Sequence, residues 1–206
     1  MKKLTYHHDS KEVQALIQKD PMLKPLFERK HQIDVHINDD YFVSLVGTIT
    51  AQQLSSKVAT VIYNRLDNLC QNQITPQKIA DFHEDELRSI GLSYQKIKYL
   101  KSLAEHMILG KVEFTDINDK SNEEIILMLT QIKGIGVWSA QMFLMFSLGR
   151  EDVFSVLDLG LRNAVKRLYQ KDDLTHDQIE KMSEQWSPYR SIVSHYLWHA
   201  WDNDTK

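Results

Sequence analysis

The sequence predicts an all-α fold of two helical lobes with a cleft between them. Three observations predict it. Only 7 glycines and 4 prolines interrupt the 206 residues, apolar residues recur at three- and four-residue spacings, and capping residues precede most apolar stretches. Residues 32–37 are the one short stretch that alternates as a strand does. We therefore expect a single helical unit over residues 1–206, filled by about nine or ten helices.

Capping residues mark where the predicted helices begin. N-cap residues or capping boxes precede the apolar stripes at Asp39-Asp40, Ser55-Ser56, Thr75, Ser121 and Thr175. A short helix is expected to end near Gly91 and a longer one near Gly110, because glycine suits helix C-termini. Ser187-Pro188 is expected to open the last helix.

Charge and cysteine content exclude several classes of protein. The 25 basic and 28 acidic residues give a net charge of −3, which excludes an extended basic tail and argues against coating nucleic acid through bulk charge. The single cysteine, Cys70, excludes an internal disulfide and a four-cysteine zinc or iron–sulfur site. The sequence has no apolar run of 18 residues and no start typical of a signal peptide. We expect an intracellular protein with no membrane association.

Residues 129–140 contain the most informative pattern. Gly134-Ile135-Gly136 is predicted to reverse the chain between one helix and a second that runs from Val137 to Leu148. Glycines allow positive φ and close approach of a ligand, and the free N–H groups of the second helix make an anion site suited to phosphate. Lys133 would face the same phosphates. The alternative is a plain tight turn between two helices.

An acidic residue follows the second helix in an apolar setting. Asp158 lies between Val156-Leu157 and Leu159-Gly160-Leu161. By itself it is an expected N-cap for a helix over residues 159–169.

Residues 129–169 resemble the helix–hairpin–helix DNA glycosylases, most closely the DNA-3-methyladenine glycosylase II type, which removes alkylated bases. Further matches lie at residues 49–55, at Gly91-Leu92-Ser93 with Lys96, and at residues 186–191, so the resemblance spans about residues 35–201. It implies a hairpin motif over 123–148, and over 149–169 a loop with a catalytic aspartate and its following helix. With about 35 residues before the matched region, the chain is expected to be a short form without an N-terminal β-rich domain.

The resemblance also implies the catalytic residue and the type of reaction. Asp158 would be the carboxylate that stabilises an oxocarbenium-like transition state and orients the attacking water. Relatives that also nick DNA carry a lysine where this chain has Trp138, and tryptophan cannot form a Schiff base. We therefore expect a monofunctional glycosylase that leaves an abasic site.

The resemblance also implies a base pocket and a loop that enters DNA. Trp138, Trp198 and Met142 would hold the extruded base, with core packing as the alternative for the tryptophans. In the loop, Gln53 or the adjacent Leu54 would fill the gap left in the duplex, with Gln52 beside them. The alternative for this loop is a polar helix terminus.

No cofactor is expected to be required. The family's hairpin implies a monovalent cation held by the main-chain carbonyls of Thr130, Ile132 and Ile135. An iron–sulfur cluster is excluded, and the nine histidines show no spacing typical of metal ligands.

The function implied is excision of alkylated purines, of the 3-methyladenine and 7-methylguanine class, from double-stranded DNA by a monomer. The expected location is the cytoplasm or nucleoid in a bacterium and the nucleus in a eukaryote. Two alternatives stay open: a non-catalytic helix–hairpin–helix module that binds DNA, and a glycosylase for deaminated or mismatched bases.

Overall fold

The computed structural model describes residues 2–204, and the side chains up to residue 201. The chain divides into two compact units: unit 1 comprises residues up to Ile37 and from Leu144 onward, and unit 2 comprises Asn38–Phe143. The predicted all-α fold with two helical lobes is confirmed. No helix within the described residues has the length and apolar character needed to cross a bilayer.

Helices account for most of the described chain. In order, its elements are β1 (Lys2–His7), α1 (Lys11–Lys19), a 3-10 helix (Pro21–Leu23), α2 (Lys24–Arg29), β2 (Gln32–Ile37), α3 (Tyr41–Ala51), α4 (Ser56–Leu69), α5 (Pro76–Asp81), α6 (Glu84–Ser89), α7 (Tyr94–Ile108), a 3-10 helix (Ile117–Asp119), α8 (Asn122–Leu129), α9 (Val137–Phe146), α10 (Leu159–Tyr169), α11 (His176–Glu184) and α12 (Arg190–Asp204).

A two-stranded antiparallel sheet accompanies the helices of unit 1. Lys2 lies opposite Ile37, and His7 lies opposite Gln32. Residues 32–37, the stretch that alternates in the sequence, form β2, whereas its partner β1 was not predicted. Only Tyr6 of β1 is buried, so β1 lacks the alternation of apolar residues that identifies a strand.

Most predicted helix starts are confirmed by their caps. Side chains at Asp40, Ser55, Thr75, Ser121 and Thr175 accept backbone N–H bonds from their own helices. The single helix expected before Gly91 is two helices, α5 and α6, because His83 forms a second N-cap. The last helix begins at Arg190, where the expectation was Ser187-Pro188, since the Tyr189 N–H closes a turn onto the Trp186 carbonyl at 2.8 Å.

A buried carboxylate ties the N-terminal part of unit 1 to its C-terminal helices. Asp20 accepts a hydrogen bond from the fully buried Trp186 indole at 2.9 Å and another from the Tyr169 hydroxyl. Burial and the nearby Asp20 raise the pKa of Tyr169, so Tyr169 stays a neutral donor. Because Tyr169 ends α10, this network fixes the C-terminal end of the helix that begins beside Asp158.

Candidate functional site

Asp158 is held at the start of α10 by two donors on one oxygen. Its Oδ1 accepts the Leu161 backbone N–H at 2.9 Å, which confirms the N-cap expectation. The same oxygen accepts the Trp198 indole N–H from α12 at 3.0 Å. Two donors at fixed positions restrict rotation of the carboxylate, so the acid has a defined orientation.

Gly160 provides the space for this arrangement. A Cβ at this position would lie 3.2 Å from Asp158 Oδ1 and 3.6 Å from Trp198 Cδ1. A larger residue would therefore press on the contact between the carboxylate and the indole.

The loop leading to Asp158 is fastened by the residues before and at the start of α12. Arg190 Nε donates to Asp152 Oδ1 at 2.7 Å, and the Ser187 hydroxyl donates to Oδ2 at 2.7 Å. Burial opposes ionisation of Asp152, but the hydrogen bonds from Arg190 and Ser187 outweigh it and lower the pKa of that carboxyl. Ser191 Oγ accepts the Val153 N–H at 2.9 Å.

Arg190 therefore holds the loop that leads to Asp158, a contact that the sequence does not predict. Residues 186–191 carry part of the family resemblance, but the resemblance implied no role for Arg190. The signal that could have found the role is an arginine within that motif and an acid six residues before Asp158, but their pairing over 38 positions is set by the fold.

Trp198 lies in an aromatic cluster within unit 1. Its ring centroid is 5.7 Å from Phe146 and 5.8 Å from His195, and the Phe146 and His195 centroids are 5.4 Å apart. Trp198 is half-buried, so part of its ring stays available beside Asp158.

The predicted glycine turn joins α8 to α9 in unit 2. Gly134 has φ of +87°, and a Cβ there would lie 2.2 Å from the Tyr99 ring. Gly136 has no atom within 4 Å of the Cβ position and needs no left-handed backbone. The second helix ends at Phe146, two residues before the expected Leu148, so the expected motif over 123–148 corresponds to α8, the turn and α9.

The backbone amides of this turn differ in what they already bind. The Ile135 N–H donates to the Ile132 carbonyl at 3.1 Å, and the Lys133 N–H donates to Ser102 Oγ at 3.3 Å. Within the described residues, the amides of Gly134 and Gly136 have no acceptor. Ile135 is buried and anchors the turn, while the Lys133 side chain is exposed.

The loop after α3 contacts the same turn. Gln52 Nε2 donates to the Gly134 carbonyl at 2.8 Å, so this amide positions the turn. Gln53 has φ of +56° and is exposed, whereas Leu54 is half-buried. Lys96 Nζ supports the loop by donating to the Thr50 carbonyl at 2.8 Å. Of the two wedge candidates, Gln53 is the more exposed.

Trp138 and Met142 line a cavity of about 520 Å³ with Gln52 and Gln53. The Trp138 side chain is 40% exposed, which does not fit the core-packing alternative. These four residues belong to unit 2, whereas Asp158 and Trp198 belong to unit 1.

Backbone carbonyls of the turn are the candidates for a cation site. Ile132 O accepts the Ile135 N–H, whereas the Thr130 and Ile135 carbonyls accept no backbone hydrogen bond from the described residues outside the helices. Oxygen ligands of this kind suit a hard monovalent cation. Among the described side chains, no group of three or more His, Cys, Asp or Glu could hold a metal ion.

The chain is similar to proteins of base excision repair. Residues 46–188 match the HhH-GPD superfamily base excision DNA repair proteins. DNA-3-methyladenine glycosylase 1 of Schizosaccharomyces pombe is 39% identical over 161 residues, which cover 76% of this chain and 71% of that protein.

Two solved structures resemble it over most of its length. DNA-3-methyladenine glycosidase from Bacillus halodurans has a TM-score of 0.90 at 34% identity, covering 98% of this chain and 94% of the other. The Schizosaccharomyces pombe 3-methyladenine DNA glycosylase in complex with abasic DNA has a TM-score of 0.71 at 33% identity, covering 92% and 91%.

The two glycines of the turn allow a matched test. Gly134→Ala should lower the free energy of unfolding by about 2–4 kcal/mol, because it combines a positive φ with a clash against Tyr99. Gly136→Ala should change it by less than about 1 kcal/mol. Urea unfolding of both variants checks this, and equal losses would contradict the geometry of the turn.

Acid should destabilise the protein through His195. Burial lowers the pKa of His195 from 6.5 to about 4. Between these two pH values His195 is therefore protonated in the unfolded chain and neutral in the folded chain. The free energy of unfolding is not reduced by His195 above pH 6.5. It decreases as the pH falls towards 4, by up to about 3 kcal/mol. Urea unfolding of the wild type and of His195→Phe at pH 7 and pH 4.5 measures it.

The wild type should lose more stability than His195→Phe over that interval. His176→Phe, which replaces an exposed histidine, should follow the wild type. Parallel losses in the wild type and His195→Phe would refute a buried, neutral imidazole.

Proposed function

The chain belongs to the HhH-GPD superfamily of base excision DNA repair proteins, and on that premise we propose that it is a monofunctional DNA glycosylase. It hydrolyses the N-glycosidic bond of alkylated purines, of the 3-methyladenine and 7-methylguanine class, in double-stranded DNA. The observation that carries the proposal is the Asp158 carboxylate, which two donors hold at the start of α10. The names of the similar proteins support the substrate class.

The motif over 123–148 holds the DNA backbone. The amides of Gly134 and Gly136 are directed to a phosphate, and Lys133 adds a positive charge. Contacts of this kind carry no sequence information, which suits an enzyme that scans for damage. Ile135 contributes as the buried anchor of the turn. The Schizosaccharomyces pombe relative bound to abasic DNA supports DNA as the partner.

The target base leaves the helix before cleavage. Gln53 enters the gap in the duplex, with Leu54 as the second candidate, and Gln52 holds the loop to the turn. Trp138, Met142 and Trp198 hold the extruded base. The electron-rich faces of tryptophan attract a purine that alkylation has made cationic.

The loop and helix over 149–169 carry the catalytic acid. As the bond between C1′ and the base nitrogen breaks, its electrons leave with the base and positive charge develops on the sugar. The Asp158 carboxylate stabilises that charge and accepts a proton from the water that adds to C1′. The cationic base is a good leaving group, so little acid catalysis is needed. Trp138 has no amine for a Schiff base, and the product is an abasic site.

The enzyme acts as a monomer without a required cofactor. A monovalent cation held by the carbonyls of Thr130, Ile132 and Ile135 would add positive charge beside the bound phosphate. A protein with this function is expected in the cytoplasm and nucleoid of a bacterium or in the nucleus of a eukaryote.

Incubation with methylated duplex DNA tests the proposal. Free methylated base should be released, and the strand should stay intact until alkali cleaves the abasic site. Nicking without alkali, with a borohydride-trapped complex, would contradict the monofunctional mechanism. Binding without release from any damaged duplex would favour a non-catalytic module, and release from deaminated bases alone would favour the other glycosylase class.

Asp158→Asn separates catalysis from folding, because asparagine can also accept the Leu161 N–H as an N-cap. The rate of base release should fall on the order of 10²- to 10⁴-fold, while the melting temperature and the affinity for undamaged duplex change little. Single-turnover release assays and thermal melts measure these quantities. A variant that keeps most of its activity would disprove the role given to Asp158.

Trp198→Phe keeps an aromatic ring and removes the N–H that holds Asp158. We expect kcat to fall about tenfold or more, because a hydrogen bond to a charged group is lost, with KM changing much less. Trp201→Phe is the control on the same helix, since Trp201 lines a different cavity. Equal kcat values for the two variants would argue against positioning of Asp158 by the indole.

A further inference from the structure

A cavity of about 690 Å³ in unit 1 includes in its wall the indole that holds Asp158. Strand β2 lines part of it, and α9 and α12 contribute Phe146, His195, Trp198 and His199. The volume is in the range of small-molecule sites. Trp198 therefore both lines the cavity and donates to Asp158.

The aromatic part of this wall suits a flat, cationic base. Phe146 and Trp198 are inclined by 32° with their centroids 5.7 Å apart, and 37% of Phe146 is exposed. Phe146 follows Trp138 and Met142 at four-residue steps along α9, so the three side chains project from one face of that helix. None of the sequence patterns assigned Phe146 a role.

His195 is the unusual group in the wall. It is only 7% exposed, and its ring packs against Tyr6, Phe146 and Trp198. Within the described residues its two ring nitrogens make no hydrogen bond. Neither nitrogen is among the described side-chain atoms that are fully buried without a partner, so the imidazole keeps a polar edge that a ligand in the cavity can reach.

Resting on the proposed glycosylase function, in which the extruded purine packs on Trp198, we propose that His195 is a specificity-determining residue, whose ring nitrogen hydrogen-bonds the edge of the base from the wall of this cavity. Phe146 and Trp198 supply the faces against which the purine packs. A purine has ring nitrogens and an exocyclic group at its edge, which match one donor or one acceptor of the imidazole.

The charges in the cavity wall are compatible with a bound cationic purine. Burial lowers the pKa of His195 to about 4, so at neutral pH its ring can donate and accept without repelling a cation. Hydrogen bonds from Gln32 and Thr5 lower the pKa of Asp34, in the β2 wall, to about 2, so a carboxylate is present. Lys30, His36 and His199 are the other titratable groups of the wall.

Duplex DNA treated with a methylating agent tests the proposal, because it contains 7-methylguanine and 3-methyladenine in one sample. These bases differ at the exocyclic group, an acceptor in guanine and a donor in adenine. Release of each base is measured for the wild type, His195→Phe, His195→Gln and the control His176→Phe. The ratio of the two kcat/KM values is the readout, because a loss of folded protein lowers both equally.

His195→Phe should lower kcat/KM about tenfold for one base and change the ratio at least threefold, as expected for one lost hydrogen bond. His195→Gln should restore part of the loss, and His176→Phe should match the wild type. An unchanged ratio in His195→Phe overturns the proposal. Release of neither base by the wild type would instead refute the glycosylase function.

A second measurement needs no variant and covers the case in which His195→Phe does not fold. The ¹⁵N shifts of the His195 ring are recorded in the wild type bound to an abasic duplex, before and after addition of free 3-methyladenine. One ring nitrogen should move as it gains a hydrogen bond. Unchanged ring shifts at saturating base overturn the proposal.

Discussion

The contact between the Trp198 indole and the Asp158 carboxylate is the interaction on which the site depends. One carboxylate oxygen closes the first turn of α10 and also accepts a donor from α12. A cap alone fixes the carboxylate to its own helix. The second donor fixes it to another helix, so its orientation is a property of the packed unit 1.

The rest of unit 1 supports that contact from both directions. The Arg190–Asp152 pair and Ser191 hold the loop that enters α10, and Asp20 holds Tyr169 at the other end of that helix. Gly160 keeps the space between carboxylate and indole clear. Arg190, Ser191 and Asp20 are remote in sequence from Asp158, and together with their partners they give this one acid a defined geometry.

In unit 2, the two glycines of the turn between α8 and α9 have different roles. Glycine is required at position 134 for two reasons: the backbone has a positive φ, and a Cβ would clash with the Tyr99 ring. At Gly136 the space around the Cβ position is open to an approaching ligand. The Gln52 amide holds the Gly134 carbonyl and so connects the loop after α3 to the turn. A sequence pattern in which two glycines look alike thus contains one structural glycine and one that exposes backbone.

Local signals predicted most of the fold. Caps such as Ser121 and Thr175 act within four residues, and their helices begin where expected. Strand β1 was missed because its pairing with β2 spans some thirty residues and buries only Tyr6.

Residues of the candidate site could be named from the sequence, but the contacts between them could not. The resemblance named Asp158 and Trp198 separately, but their hydrogen bond, the Arg190–Asp152 pair and the unpaired His195 depend on contacts between distant elements. No periodicity or spacing encodes such contacts.

A crystal structure of the wild type with a duplex containing a cationic pyrrolidine abasic analogue tests the central claim most directly, because its ring nitrogen mimics the charge that develops on the sugar. The account predicts that this nitrogen lies within about 4 Å of the Asp158 carboxylate, with the Trp198 N–H still bound to Oδ1. A complex in which the sugar analogue binds elsewhere, or in which Asp158 turns away from it, would contradict the account.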